Sequence, residues 1–272
     1  MNRIDARFKW LAERGQSAFI PYITAGDPTL DATAQVVLEL EKAGADVIEL
    51  GIPFSDPIAD GVVNQEAAFR ALKNHVSLHD VVKMVGELRN STEIPLLLFT
   101  YYNPVLAYGV ETFAKDCKAA GVDGVLCVDL PPEEDTEYKR CLDEAGIATV
   151  FLIAPTSTPD RVELLAKSST GFIYYVSRTG VTGVRASMET SVKGMVDAIK
   201  KHTKTPVAVG FGISKPEHAV EVAGYADGVI VGSAIVRMIG ELGVSADMAQ
   251  KVGAFVKTLA DATKSGKVST RE

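Results

Sequence analysis

Two carboxylates, Glu49 and Asp60, have a setting suited to moving protons on and off one substrate. Glu49 sits near the end of the apolar run 47–50, and Asp60 follows in the loop 51–61, rich in Pro, Gly and Asp. A carboxylate costs several kcal/mol to desolvate, so an acid in an apolar strand needs a task or a partner. By strand alternation Glu49 shares a face with Val47 and Gly51. That face points either into a barrel mouth or toward a helix, where a cation would have to meet it.

Other chemistries are disfavoured. No lysine occupies an apolar strand-like run, which argues against a Schiff-base aldolase. His75, His79, His202 and His218 fall in helical or linking segments, so neither a histidine base nor a His-ligated metal is expected. Cys117, Cys127 and Cys141 are odd in number and lack metal-ligand spacing. No Gly-x-Gly-x-x-Gly follows the first strand-like run. A net charge of -7 argues against a nucleic-acid surface but leaves room for a locally positive anion site. No apolar run approaches a membrane span, and charges fill the N-terminus where a signal peptide needs an apolar core. These features predict a reduced, cytoplasmic protein.

Eight short apolar runs must position the acids. They centre on 19–22, 47–50, 96–99, 124–127, 149–152, 172–175, 207–209 and 229–231, with amphipathic segments between them. Near-continuous hydrophobicity predicts a parallel sheet covered on both faces, and the count of eight favours a single-domain (β/α)8 TIM barrel over a doubly wound sheet. The expected domain is the whole chain, 1–272, with a helix before the first strand, an insertion after the second that includes 65–73, and a frayed tail after about Lys264. Thr158-Pro159 reads as a helix start, Ser214 to Glu217 as a capping box, and Gly44, Gly121 and Gly146 as helix stops.

In this fold chemistry sits at the C-terminal ends of the strands. The seventh run leads into Gly210-Phe211-Gly212 and the eighth into Gly232-Ser233, each opening a helix. Barrels commonly bind phosphate at these two junctions. The basic, glycine-punctuated loop 177–185 reads as a lid. Phe99, Leu126, Val128 and Phe211, with several tyrosines, offer a flat apolar pocket.

The stretch from Glu49 to Gly61 resembles the signature of the tryptophan synthase alpha chain family. So do the segments 21–28, 129–132, 177–183, 210–214 and 232–234, which together span nearly the whole chain in the family's order. The resemblance implies a lyase of L-tryptophan biosynthesis that cleaves indole-3-glycerol phosphate to indole and D-glyceraldehyde 3-phosphate. It implies catalytic roles for Glu49, Asp60 and Tyr174, and phosphate binding at Gly183, Gly212, Gly232 and Ser233. The indole pocket would comprise Tyr22, Phe99, Tyr101, Leu126, Val128, Thr182 and Phe211. Pro53, Asp56 and Pro131 would face a tryptophan synthase beta chain in an alpha2beta2 heterotetramer. No metal and no cofactor is expected in this chain; pyridoxal phosphate would belong to the beta partner. One departure stands out: Val62 occupies the position after Asp60-Gly61 where the family usually has proline. Loss of that restraint predicts a looser loop around Asp60.

Overall fold

The computed structural model describes residues 2–134, 136–177, 192–210 and 212–266. Its strands are β1 (Ala18–Thr24), β2 (Ile48–Gly51), β3 (Leu96–Thr100), β4 (Gly124–Cys127), β5 (Ala148–Val150), β6 (Leu152–Ile153), β7 (Ile173–Val176), β8 (Val207–Gly210) and β9 (Gly228–Val231). All pair in parallel, in the order β5-β4-β3-β2-β1-β9-β8-β7-β6. The expected run 149–152 is divided at Phe151 into β5 and β6. The first piece pairs with β4 and the second with β7, and the Tyr174 N–H donates to the Phe151 carbonyl at 3.1 Å. One extended stretch thus joins both ends of the sheet, giving a (β/α)8 barrel in which one strand counts twice.

Side-chain alternation sorts each strand into two apolar faces. Ile20, Val47, Leu97, Leu126, Val150, Phe172, Ala208 and Ile230 fill the lumen. Phe19, Ile48, Leu50, Leu96, Leu98, Val125, Ile173, Val209 and Val229 pack outward against the helices. Both faces are dry, which is why the strands read as continuous apolar runs. The predicted first helix is Arg3–Glu13, and its Ile4, Phe8 and Leu11 plug the N-terminal end of the lumen. Gly124 makes room for that plug, since a Cβ there would lie 2.9 Å from the Ile4 side chain.

Three aspartates repeat one device at this closed end. Asp46, Asp123 and Asp227 each immediately precede a strand or lie at its foot. Their N–H groups donate to the carbonyls of Phe19, Leu96 and Val207 at 2.9, 3.0 and 2.8 Å. Their carboxylates accept the N–H groups of those same residues at 2.7, 2.9 and 3.0 Å. Each charge is also met by cations: Lys264 at Asp46, Arg89 and Arg3 at Asp123, and Lys200 at Asp227. The device continues the strand ladder past its last backbone pair and ties outer helices to the barrel foot.

Helix punctuation follows the sequence with one shift. Thr158 caps the helix Pro159–Ser168 with proline in its first turn, and Gly44, Gly121 and Gly146 adopt φ values of 100°, 78° and 77° after three helices. The expected capping box at Ser214 is not formed. The helix Pro216–Ala223 has Lys215 as its N-cap, with no side-chain cap bond. Pro216 lacks an N–H and suits the first helical position, which sets the start one residue later than the Ser214 spacing implied.

Candidate active site

Glu49 lies between Ile48 and Leu50, which belong to the outer core, and two residues after Val47, which belongs to the lumen. Its side chain therefore enters the barrel, and among the described residues no helix-borne cation meets it. Glu49 is 0% exposed, and neither carboxyl oxygen has a hydrogen-bond partner among the described residues. Burial pushes its pKa well above the ordinary glutamate value. The shift favours the protonated form, the one a general acid requires.

Tyr22 is the cross-strand neighbour of Glu49 on β1, and Tyr174 enters the lumen from β7 beside Phe172. Both phenols are raised in pKa, first by burial and further by the fields of Glu49 and Asp60. They remain protonated donors. Two glycines make the space they occupy. A Cβ on Gly51 would fall 2.0 Å from the Tyr22 hydroxyl, and one on Gly210 would fall 2.6 Å from the Tyr174 hydroxyl. Phe99 packs edge-on between them, with ring centroids 5.3 Å from Tyr22 and 6.4 Å from Tyr174.

Asp60 has a different environment. The Tyr101 hydroxyl donates to its Oδ2 at 2.8 Å, while the Ala59 N–H donates to the Tyr101 oxygen at 3.0 Å. Burial raises the Asp60 pKa, and hydrogen bonds from Tyr101 and Asn64 oppose that rise. Gln65 donates to the Asp60 carbonyl at 2.9 Å, fixing the loop to the helix Val62–Lys73. Burial raises both acids, but the rise is opposed by donors only at Asp60, so the two carboxyls sit in unequal environments, as acid/base work on one substrate requires.

Arg70, on the same helix, grips Asp27 through two bonds of 2.8 Å. Val62 is the first residue of this helix and 68% exposed. The first helical N–H has no partner within a helix, so valine here leaves no buried donor stranded.

A cavity of about 280 Å³ opens above the lumen. Tyr22, Phe99, Tyr174, Gly212, Gly232 and Ser233 line it, so the expected apolar wall and two glycine turns converge. Glu49 lies behind this lining, shut from solvent, and Leu126 is buried in the lumen floor. Val128 packs against the lumen core, and Tyr101 contributes through Asp60 rather than through the cavity wall. Thr182, Gly183 and Phe211 lie outside the described residues, as does the expected lid 177–185 apart from Ser177. The sequence reading missed Asn64, Val63, Ile213 and Arg237, all of which line the cavity. Of the expected partner-facing residues, Asp56 is exposed and Pro131 half-buried, whereas Pro53 is buried beside Phe54, His79 and Tyr108. Among the described residues no His, Cys, Asp and Glu cluster could hold a metal ion, and no helix is long and apolar enough to cross a membrane.

Comparison with known proteins agrees with the barrel fold. Residues 8–264 match the family model described as tryptophan synthase alpha chain. The tryptophan synthase alpha chain of Geobacter sulfurreducens is 47% identical over 262 residues, covering 96% of this chain and 99% of that protein. The Synechocystis alpha chain is 46% identical over 260 residues, covering 95% and 98%. The crystal structure of tryptophan synthase subunit alpha from Legionella pneumophila superposes with a TM-score of 0.86 at 38% identity, covering 97% and 98%. A chain of Mycobacterium tuberculosis tryptophan synthase gives 0.87 at 34% identity, covering 97% and 98%. The chain belongs to the tryptophan synthase alpha chain family, the lyase subunit that cleaves indole-3-glycerol phosphate in tryptophan biosynthesis.

Proposed function

We propose that Glu49 and Asp60 carry this cleavage as an acid/base retro-aldol reaction, with Tyr174 and Tyr22 holding the substrate between them. Glu49 delivers its proton to C3 of the indole ring, making an indolenine that can accept an electron pair. The hydroxyl on the adjacent glycerol carbon then gives its proton to the Glu49 carboxylate and becomes the aldehyde carbonyl. The bond between that carbon and C3 breaks, and its electrons restore the aromatic indole. Glu49, reprotonated by that hydroxyl, is back in its starting form. Asp60 accepts a hydrogen bond from the indole N–H as positive charge grows there, worth roughly 2–4 kcal/mol of barrier by comparison with other positioned electrostatic groups.

The observation that carries this reading is the unpaired, fully buried Glu49 carboxyl beside two phenols. Phe99, Leu126, Val128, Tyr101, Thr182 and Phe211 complete the indole pocket. Backbone N–H groups at Gly183, Gly212, Gly232 and Ser233 hold the phosphate. The whole chain works as one barrel domain in the cytoplasm and needs no cofactor of its own.

Indole passes to a tryptophan synthase beta chain that carries pyridoxal phosphate, in an alpha2beta2 assembly. Ile58, Val62 and Leu106, on loops and helices that follow β2 and β3, are 87%, 68% and 57% exposed and offer apolar contacts for that partner, which Asp56 and Pro131 would also face. The test is incubation with indole-3-glycerol phosphate, with and without a beta chain, while indole and glyceraldehyde 3-phosphate are followed. Equal yields of both products support the reading. Absence of indole under both conditions overturns it.

A further inference from the structure

Among the described residues, Arg237 is the only charged side chain lining the cavity. It is exposed and makes no ion pair or hydrogen bond with any described residue. It sits four positions after Ser233 on the helix Ser233–Leu242, so both occupy one helix face. Gly232 caps this helix without a side-chain hydrogen bond, and the first turn holds no acid. The helix start and the guanidinium thus favour the same sign of ligand at the same rim.

Its place on the cavity rim sets Arg237 apart from the other unpaired surface cations. The protein carries a net charge of -7, and the described surface cations mostly pair with nearby acids. Arg237 remains free beside a cavity whose other described lining residues are neutral. A guanidinium is a planar multidentate donor suited to phosphate oxygens.

We propose that Arg237 is the specificity-determining cation of this site: it grips the phosphate of the substrate through its side chain and selects the phosphorylated compound over its dephosphorylated form. The proposal rests on the reading of the Gly212 and Gly232-Ser233 turns as the phosphate rim. Backbone N–H groups orient the phosphate, and Arg237 supplies the full positive charge they lack. Because it sits at the phosphate end, it contributes to binding rather than to the bond-breaking step, so its loss raises KM and leaves kcat near the parent value.

The experiment compares the parent chain with Arg237→Ala and Arg237→Lys. Readouts are kcat and KM for indole-3-glycerol phosphate, inhibition by glycerol 3-phosphate, and the dependence of both on potassium chloride. The expected result for Arg237→Ala is about a tenfold rise in KM and a comparable weakening of inhibition, with kcat within about twofold. Its KM also becomes less sensitive to salt, since screening acts on the lost charge. Arg237→Lys recovers part of the loss, because it restores the charge without the fork. Thermal unfolding of each variant checks that the fold is intact. Unchanged KM and inhibition in Arg237→Ala, with the parent inhibited by glycerol 3-phosphate, overturn the role of Arg237 alone. Failure of glycerol 3-phosphate to inhibit even the parent chain overturns the phosphate rim as well.

Discussion

Replacing Gly51 by alanine separates the account of Tyr22 from ordinary strand energetics by the sign of its effect. Gly51 is the last residue of β2 and lies in line with Glu49. In a strand without neighbours to meet, glycine to alanine would stabilise by about 0.5–1 kcal/mol, because glycine loses more backbone freedom on folding. Here the new Cβ would stand 2.0, 2.5 and 2.8 Å from the hydroxyl oxygen, Cζ and Cε2 of Tyr22. Ordinary carbon contacts need about 3.5–4.0 Å. The ring cannot yield without losing its edge contact with Phe99, and it is only 7% exposed. Its one free direction is the cavity it lines. Overpacking of this kind costs about 1–3 kcal/mol. For a chain of this size that lowers the unfolding temperature by a few degrees, at about 2–4 °C per kcal/mol.

The displaced ring would also occupy substrate space, raising KM for indole-3-glycerol phosphate by an expected tenfold or more. Thermal unfolding and steady-state indole release measure the two effects. In a Tyr22→Ala background the clash is gone, so the same substitution should become neutral or stabilising, a coupling of about 1 kcal/mol or more. A Gly51→Ala variant with parental KM and an unchanged or raised unfolding temperature would refute the reasoning.

Three further outcomes are expected. Tyr101→Phe removes the donor to Asp60, letting burial raise the Asp60 pKa further; kcat/KM should fall by about five- to tenfold, and the acid limb of its pH profile should move upward. Asp123→Ala leaves the Arg89 guanidinium, 2.8 Å away at 11% exposure, with backbone carbonyls but no carboxylate to balance its charge, and orphans the Leu96 N–H; chemical denaturation should show a loss of about 3 kcal/mol. Glu49 has a folded pKa above its unfolded value, so its protonated form favours folding below the unfolded pKa, and that advantage is lost as pH rises toward the folded pKa. Glu49→Gln, which never ionises, should therefore match the parent in stability near pH 4 and exceed it increasingly toward neutral and alkaline pH, read as the difference in unfolding temperature.

The barrel was legible because parallel strands buried on both faces leave unbroken apolar runs, and glycines mark the helix ends between them. That same property hid the direction of Glu49. When lumen and outer face are equally apolar, alternation shows which residues share a side but not which side is the lumen. The neighbours Ile48 and Leu50 resolve it only once their packing against the helices is seen. The division at Phe151 was invisible because it comes from a change of pairing partner, not of residue type. Ser214 does not cap because Pro216 suits the first helical position, which puts Lys215 at the N-cap.

Other features had signals that were passed over. The recurrence of aspartate at 46, 123 and 227, just after a helix stop, marked the barrel foot. Arg237 stands one helical turn beyond Ser233, within reach of the same rim. Asn64 gave little warning, since its part in the site depends on where the helix after Asp60 begins.

Glu49, driven toward its protonated form by burial, is proposed as the acid and base of the cleavage. The most direct measurement is the rate of indole formation from saturating indole-3-glycerol phosphate by Glu49→Gln, beside the parent chain and with equal beta chain present in both. The account predicts a rate lower by about a hundredfold to ten-thousandfold, with an intact fold. Indole release within a few-fold of the parent would contradict it.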